Sequence, residues 1–180
     1  MKILKTKFKN LLIIKKITHK DKRGYFRELF INKLIKKKFI FDVMSLSKKN
    51  VLRGLHLQTK YPQGKLITVM RGEVFDVCVD CRIKSKTFGK YFSIRLNEND
   101  NTSLFIPEGF AHGFVSLKTN TILHYKCTNY RHKKSETGIL WNDKKLKIKW
   151  PKIKLNISKK DLKNLTFQEF IRINKRNLIN

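Results

Sequence analysis

Acidic residues, glycine, proline and cysteine are all scarce in this chain, and it holds no long apolar run. Each shortage excludes something. Three cysteines, Cys78, Cys81 and Cys127, are too few and odd in number for a disulfide framework. Cys78 and Cys81 are spaced like half of a zinc or redox site, but no second pair follows. Reduced thiols in a reducing compartment are therefore expected. The longest apolar stretch near the basic N-terminus is Leu11-Leu12-Ile13-Ile14. That is too short for a signal-peptide core, and no window suffices to span a bilayer. The expectation is a cytoplasmic protein with no membrane partner. Eight glycines and three prolines punctuate short segments, with no repeat or low-complexity linker among them.

What is present is enough for one core. The 180 residues are 41% hydrophobic and 11% aromatic, which fits a single domain over 1–180. Lys and Arg number 42 against 13 Asp and Glu, a net charge of +29. Lysine is spread along the whole chain, as in Lys36-Lys37-Lys38 and Lys144-Lys145, without interleaved aromatics. Asn and Ile are also abundant, so the charge reads as a compositional bias rather than a nucleic-acid patch. It still attracts small polyanions such as a nucleotide diphosphate.

Strand-like runs recur at sandwich spacing. They are Leu66 to Met70, Glu73 to Asp80, Tyr91 to Leu96, Thr102 to Ile106 and Thr121 to Cys127. Helical patterning is confined to Ile31 to Lys38 and to the tail, where Ser158 is placed to cap a segment beginning Lys159-Lys160-Asp161. The fold expected is all-β, a jelly-roll or closed barrel with short helices at its ends.

Two short motifs resemble those of cupin barrels. Pro107-Glu108-Gly109-Phe110-Ala111-His112 matches the second cupin motif. In the first, His56-Leu57-Gln58 stands where metal-binding cupins have His-x-His, and Lys65 lies in the region of the carboxylate ligand. An ammonium has no lone pair for a metal and repels one. A metal-free interior is therefore expected. A fixed Lys charge beside a developing oxyanion and a neutral His as base suffice to remove a proton next to a ketone, with a carboxylate to orient the His.

The chain also resembles the dTDP-4-dehydrorhamnose 3,5-epimerase family, from about Asp21 to Asp161, leaving 162–180 as a tail. The matching segments include Asp21-Lys22-Arg23-Gly24-Tyr25-Phe26-Arg27-Glu28, Val51-Leu52-Arg53-Gly54-Leu55-His56-Leu57-Gln58 and Gly64-Lys65-Leu66. They continue with Ile106 to Phe114, Glu136-Thr137-Gly138-Ile139-Leu140-Trp141-Asn142-Asp143 and Ser158-Lys159-Lys160-Asp161. The resemblance implies a dimeric cupin without metal or other cofactor that acts on a nucleotide-diphosphate sugar. It implies His56 as general base, Asp161 as its partner and Lys65 as the group holding the enolate oxygen. It implies Arg53, Gln58 and His112 as substrate contacts, Trp141 as an aromatic near the base, and Arg23, Phe26 and Glu28 as nucleotide contacts reaching partly across a dimer interface.

Three positions depart from the family pattern. The resemblance places the acid, a Tyr, six residues beyond Tyr125, where Arg131 stands; either a one-residue shift lets the neighbouring Tyr130 serve as the acid or the acid is missing, and Arg131 counts among the substrate contacts. Phe41 and Val43 occupy positions where the family usually has Gln and Asn. The function implied is epimerisation of a nucleotide-diphospho-4-keto-6-deoxysugar, at C3 and C5. Inversion at C3 alone, 3,4-ketoisomerisation, and sugar binding without turnover are the alternatives.

Overall fold

The structure, a computed structural model, describes residues 1–178; the last two positions of the tail lie outside the described residues. Its strands are β1 (Lys2–Lys5), β2 (Leu12–Lys15), β3 (Thr18–Asp21), β4 (Gly24–Arg27), β5 (Phe41–Ser47), β6 (Val51–Gln58) and β7 (Lys65–Arg71). There follow β8 (Glu73–Asp80), β9 (Tyr91–Asn97), β10 (Thr102–Ile106), β11 (Phe110–Ser116), β12 (Thr121–Cys127), β13 (Glu136–Gly138) and β14 (Asn156–Ile157). Among the described residues two short α-helices follow, α1 (Lys159–Leu162) and α2 (Phe167–Asn174), and then a 3-10 turn, Lys175–Asn177.

The strands form two sheets packed face to face, the expected all-β jelly-roll. One runs β1-β2-β10-β7-β12-β5, antiparallel throughout. The other runs β13-β6-β11-β8-β9, with β14 paired parallel to β6. The hairpin β3-β4 stands apart from both. Successive strand residues point to opposite faces, so alternation sorts each strand between compartments. On β8, Val74 and Cys78 enter the core between the sheets with Ile67, Leu104, Phe114 and Leu123. Val77 and Val79 turn outward beneath Phe167, Phe170 and Leu146. Burial on both faces is why this strand reads as a nearly continuous apolar run. The same alternation separates Cys78 from Cys81, which lie in different clusters as buried free thiols.

The five strand expectations correspond to β7, β8, β9, β10 and β12. The helix expected over Ile31 to Lys38 does not form. Only a 3-10 turn, Asn32–Leu34, is present, without a side-chain cap. The segment instead crosses the outer face of the first sheet as an extended strap. Ile35 packs there with Leu66 and Phe105, alongside Phe30, Leu34 and Phe39. Anchoring on apolar side chains outweighs helical spacing in an uncapped stretch of lysines. The tail behaves as read: Ser158 Oγ accepts from the Asp161 amide at 3.1 Å and caps α1.

Candidate active site

A cavity of about 570 Å³ opens between the sheets. Its first wall comes from β6, whose course depends on Gly54. β6 and β11 pair His56 with His112 but Arg53 with Phe114, so between these pairs one residue of β11, Gly113, opposes two of β6, Gly54 and Leu55. That extra residue is a bulge, and it resets the alternation. Arg53 and His56, three apart, then both line the cavity instead of facing opposite ways. Only glycine fits at position 54. Its φ is +128°, and a Cβ there would sit 2.5 Å from Gly113 Cα and 2.8 Å from the His112 carbonyl oxygen.

His56 Nε2 lies 2.6 Å from Asp161 Oδ1. The second carboxylate oxygen of Asp161 accepts from the Gly54 amide at 3.3 Å. Burial alone would raise the Asp161 pKa, but the His56 contact, the Gly54 amide and Ser158 outweigh it and hold the group below its ordinary value. An ionised Asp161 accepts, so the facing imidazole nitrogen donates. Nδ1 then carries the lone pair, and it has no hydrogen-bond partner among the described residues. A second pair lies behind: His112 Nε2 to Asp76 Oδ2 at 2.8 Å, both buried. Each histidine thus faces its own carboxylate. Among the described residues, no three His, Cys, Asp or Glu side chains converge as metal ligands would.

The facing wall belongs to the first sheet. On β12 and β5, Tyr125 pairs with Val43 and Cys127 with Phe41; on β7, Lys65 pairs with Cys127. All five line the cavity. Lys65 is half-buried, and its amine takes part in no hydrogen bond or ion pair among the described residues. Desolvation lowers its pKa, opposed by Cys127, Glu136, Cys78 and Asp76. The Tyr125 hydroxyl meets Ser45 Oγ at 3.3 Å. Burial pushes this phenol well above its ordinary pKa, so it keeps its proton at neutral pH. A lone-pair nitrogen on one wall therefore shares the cavity with a phenolic O–H and the Lys65 amine on the other. That is the equipment to take a proton from one face of a carbon and return it to the other.

The cavity brings together His56, Asp161, Lys65, Arg53, Gln58, His112 and Arg131. It leaves out Tyr130, Trp141, Arg23, Phe26 and Glu28. Tyr130, expected as the alternative acid, lies outside the cavity lining. Its side chain is exposed, its ring meets the Phe41 edge at 5.9 Å, and its carbonyl accepts from Gln58. β12 ends at Cys127, so Tyr130 and Arg131 lie on a loop where strand alternation has no force. The phenol in the cavity is Tyr125, five residues earlier. Its place between Leu123 and Cys127, both buried inward residues, was the available signal. Asp76 was missed too, a carboxylate among inward core positions of β8. Trp141 instead accepts at its carbonyl from Trp150 Nε1 at 2.7 Å. The Gln58 amide nitrogen donates to the carbonyls of Tyr61 and Tyr130, and its oxygen accepts from the His132 amide. It braces the loop ahead of β13.

Comparison with known proteins points one way. The model of the dTDP-4-dehydrorhamnose 3,5-epimerase family matches residues 5–169. A dTDP-4-dehydrorhamnose 3,5-epimerase from Methanothermobacter thermautotrophicus is 43% identical over 155 residues, 83% of this chain and 84% of that protein. The dTDP-6-deoxy-D-glucose-3,5-epimerase of Legionella pneumophila, solved in complex with dTDP-4-keto-L-rhamnose, superposes with a TM-score of 0.93. It is 39% identical, and the match covers 99% of this chain and 97% of that one. A 3'-monoepimerase from Streptomyces bikiniensis superposes at 0.90 with 25% identity, over 98% of this chain and 92% of that one. It was solved with dTDP as a double mutant in which a His and a Tyr, 70 positions apart, are replaced. His56 and Tyr125 here are 69 positions apart.

Proposed function

The chain belongs to the dTDP-4-dehydrorhamnose 3,5-epimerase family, and from this premise we propose that it inverts carbons flanking the ketone of a dTDP-4-keto-6-deoxysugar with His56 as base and Tyr125 as acid. The 4-ketone acidifies the protons on C3 and C5. His56, oriented by Asp161, takes one of them. The Lys65 amine stabilises the enolate oxygen; burial lowers its pKa, and it has no partner among the described residues to give up. Tyr125 returns a proton to the opposite face of the carbon, which inverts it. The phenolate so formed recovers its proton as His56 releases one, and the cycle closes without net redox change.

The observation that carries this reading is that the His56–Asp161 pair and Tyr125 line one cavity from strands of different sheets. Heavy-water exchange on dTDP-4-keto-6-deoxyglucose tests it. Solvent deuterium at both C3 and C5 of the product is expected. Deuterium at C3 alone identifies a mono-epimerase, and migration of the ketone to C3 identifies a ketoisomerase. Binding without exchange at either carbon leaves only a nucleotide-sugar-binding protein.

The same reading includes a homodimer. Arg23, Phe26 and Glu28 fall outside the cavity of their own chain. Among the described residues the hairpin β3-β4 pairs with no other strand, and it exposes Tyr25 and Phe26. Met44 and Leu46 are exposed on the outer face of the edge strand β5. A second copy would cover these and receive the hairpin. Sedimentation at micromolar concentration should give twice the chain mass; a monomer would remove those three residues from the site. A cytoplasmic location is supported by three free, buried cysteines.

A further inference from the structure

The wall that carries Tyr125 and Lys65 has an apolar margin that the proton transfers do not use. β5 presents Phe41, Val43 and Ser45 to the cavity at every second position. Asp42, between the first two, points to the other face and pairs there with Lys126 at 2.9 Å and His124 at 3.2 Å. The charged side chain of this strand is thus turned away from the cavity, and two apolar ones are turned into it. Register fixes where they stand. Phe41 is in a row with Cys127 and Lys65, and Val43 in a row with Tyr125. Neighbouring strands lie about 4.8 Å apart, and alternate residues of one strand about 7 Å apart. The margin is therefore one strand from the phenol and two from the amine, within reach of a sugar ring whose ketone rests on Lys65.

This margin offers a sugar hydroxyl nothing to bind. The Ser45 hydroxyl at its end is already shared with Tyr125 at 3.3 Å. Burial pushes the neighbouring Cys127 thiol up to about 11, so it stays protonated and behaves as a small apolar group. A hydroxyl placed against Phe41 and Val43 gives up water and gains no partner in return. Stability does not account for the two apolar side chains. Among the described residues neither joins a core cluster, and Val43 is 39% exposed. Phe41 rests edge-on against Tyr130, itself an exposed ring. Apolar surface left open inside a binding cavity carries information about the ligand that covers it.

We propose that Phe41 and Val43 are specificity-determining residues that reject a hydroxyl on the sugar edge they cover, so that the preferred substrate is a nucleotide-diphospho-4-keto-2,6-dideoxysugar. The inference rests on the nucleotide-sugar reading above and deepens it. The ring position follows from the chemistry. C4 carries the ketone and C6 is already a methyl. C3 keeps its hydroxyl, because without one it is no stereocentre and cannot be inverted. The C2 hydroxyl is the one whose loss suits an apolar wall. A strip of two side chains about 7 Å apart is longer than one methyl group, so it reaches beyond C6 along the ring. An apolar surface discriminates against an added hydroxyl by at most about 10²-fold, so the selectivity is a preference and the 2-hydroxy sugar is still turned over.

Deuterium-exchange kinetics on the full chain test this with two substrates that differ only at C2, dTDP-4-keto-6-deoxyglucose and dTDP-4-keto-2,6-dideoxyglucose. Wild type should give a kcat/KM about tenfold or more higher for the 2-deoxy sugar. Phe41→Gln and Val43→Asn each supply hydrogen-bonding groups and should lower that ratio by about tenfold, chiefly by raising kcat/KM for the 2-hydroxy sugar. Phe41→Leu keeps the wall apolar and should hold the ratio within about twofold of wild type. The ratio is independent of how much of a variant is folded, so a destabilised variant still reports. The proposal is overturned if wild type shows no preference or prefers the 2-hydroxy sugar. It is also overturned if Phe41→Gln and Val43→Asn leave the ratio at its wild-type value; the strip then packs a group that both sugars share, such as the C6 methyl. Exchange with neither sugar would instead remove the nucleotide-sugar reading, and this inference with it.

Discussion

His56 serves as a base in this scheme because Asp161 stays ionised beside it. Removing either should be severe: His56→Asn and Asp161→Asn are each expected to lower kcat by about 10²- to 10⁴-fold, read by steady-state kinetics with substrate binding retained. Glu136 gives a separate signature in pH. Its folded pKa of about 2 lies below the ordinary 4.5, so its stabilising effect is complete above about pH 4.5 and is lost as pH falls towards 2. Glu136→Gln should lower the denaturant midpoint above about pH 4.5 and flatten the acid limb of the profile in that window. At this scale the sequence marked His56, Asp161 and Lys65, each in a short motif, and all three line one cavity. It also marked Arg131, which lines the cavity, and Tyr130, which does not. Counting along the chain assumed that the acid lay past Cys127, whereas β12 ends there and presents its own Tyr125 inward.

Among the elements, β6 has the greatest influence on the site. Its bulge turns Arg53 and His56 to the same side, and the bulge depends on Gly54. Gly54→Ala should destabilise the fold by about 2–4 kcal/mol, because strain at positive φ adds to a clash with the β11 backbone. Chemical denaturation measures the loss, and residual folded protein should show impaired catalysis. α1 is only four residues long, yet it places Asp161. Ser158→Ala should cost about 1 kcal/mol through the lost cap and should lower kcat as well, since the capped residue is the partner of His56. The strands were legible from alternation, and the α1 cap from Ser158 with Asp161 three positions later. The strap over 30–39 was not. Its conformation follows from Leu66 and Phe105 on another element, information that no local pattern contains.

At the scale of the whole molecule, two sheets enclose the chemistry and a large positive charge surrounds it. With a net charge of +29, capture of an anionic nucleotide sugar should depend on ionic strength. kcat/KM is expected to fall as salt rises from about 0.01 to 0.5 M, with kcat changing far less; a kcat/KM insensitive to salt would assign the surface charge no part in capture. The jelly-roll was legible because evenly spaced short strands have few ways to close on one core. The separation of catalytic groups onto facing walls was not, because sheet pairing is set by contacts far apart in sequence. His56 and Tyr125 lie on strands of different sheets.

The central claim is that His56 and Tyr125 act from opposite walls as base and acid. The decisive measurement is deuterium incorporation and inversion on dTDP-4-keto-6-deoxyglucose in heavy water, comparing Tyr125→Phe with Tyr130→Phe. Tyr125→Phe should still exchange the ring proton through His56 but should lose inversion by about 10²-fold or more, while Tyr130→Phe should keep inversion within about twofold of wild type. Full inversion by Tyr125→Phe together with its loss in Tyr130→Phe would contradict the claim and move the acid to the loop.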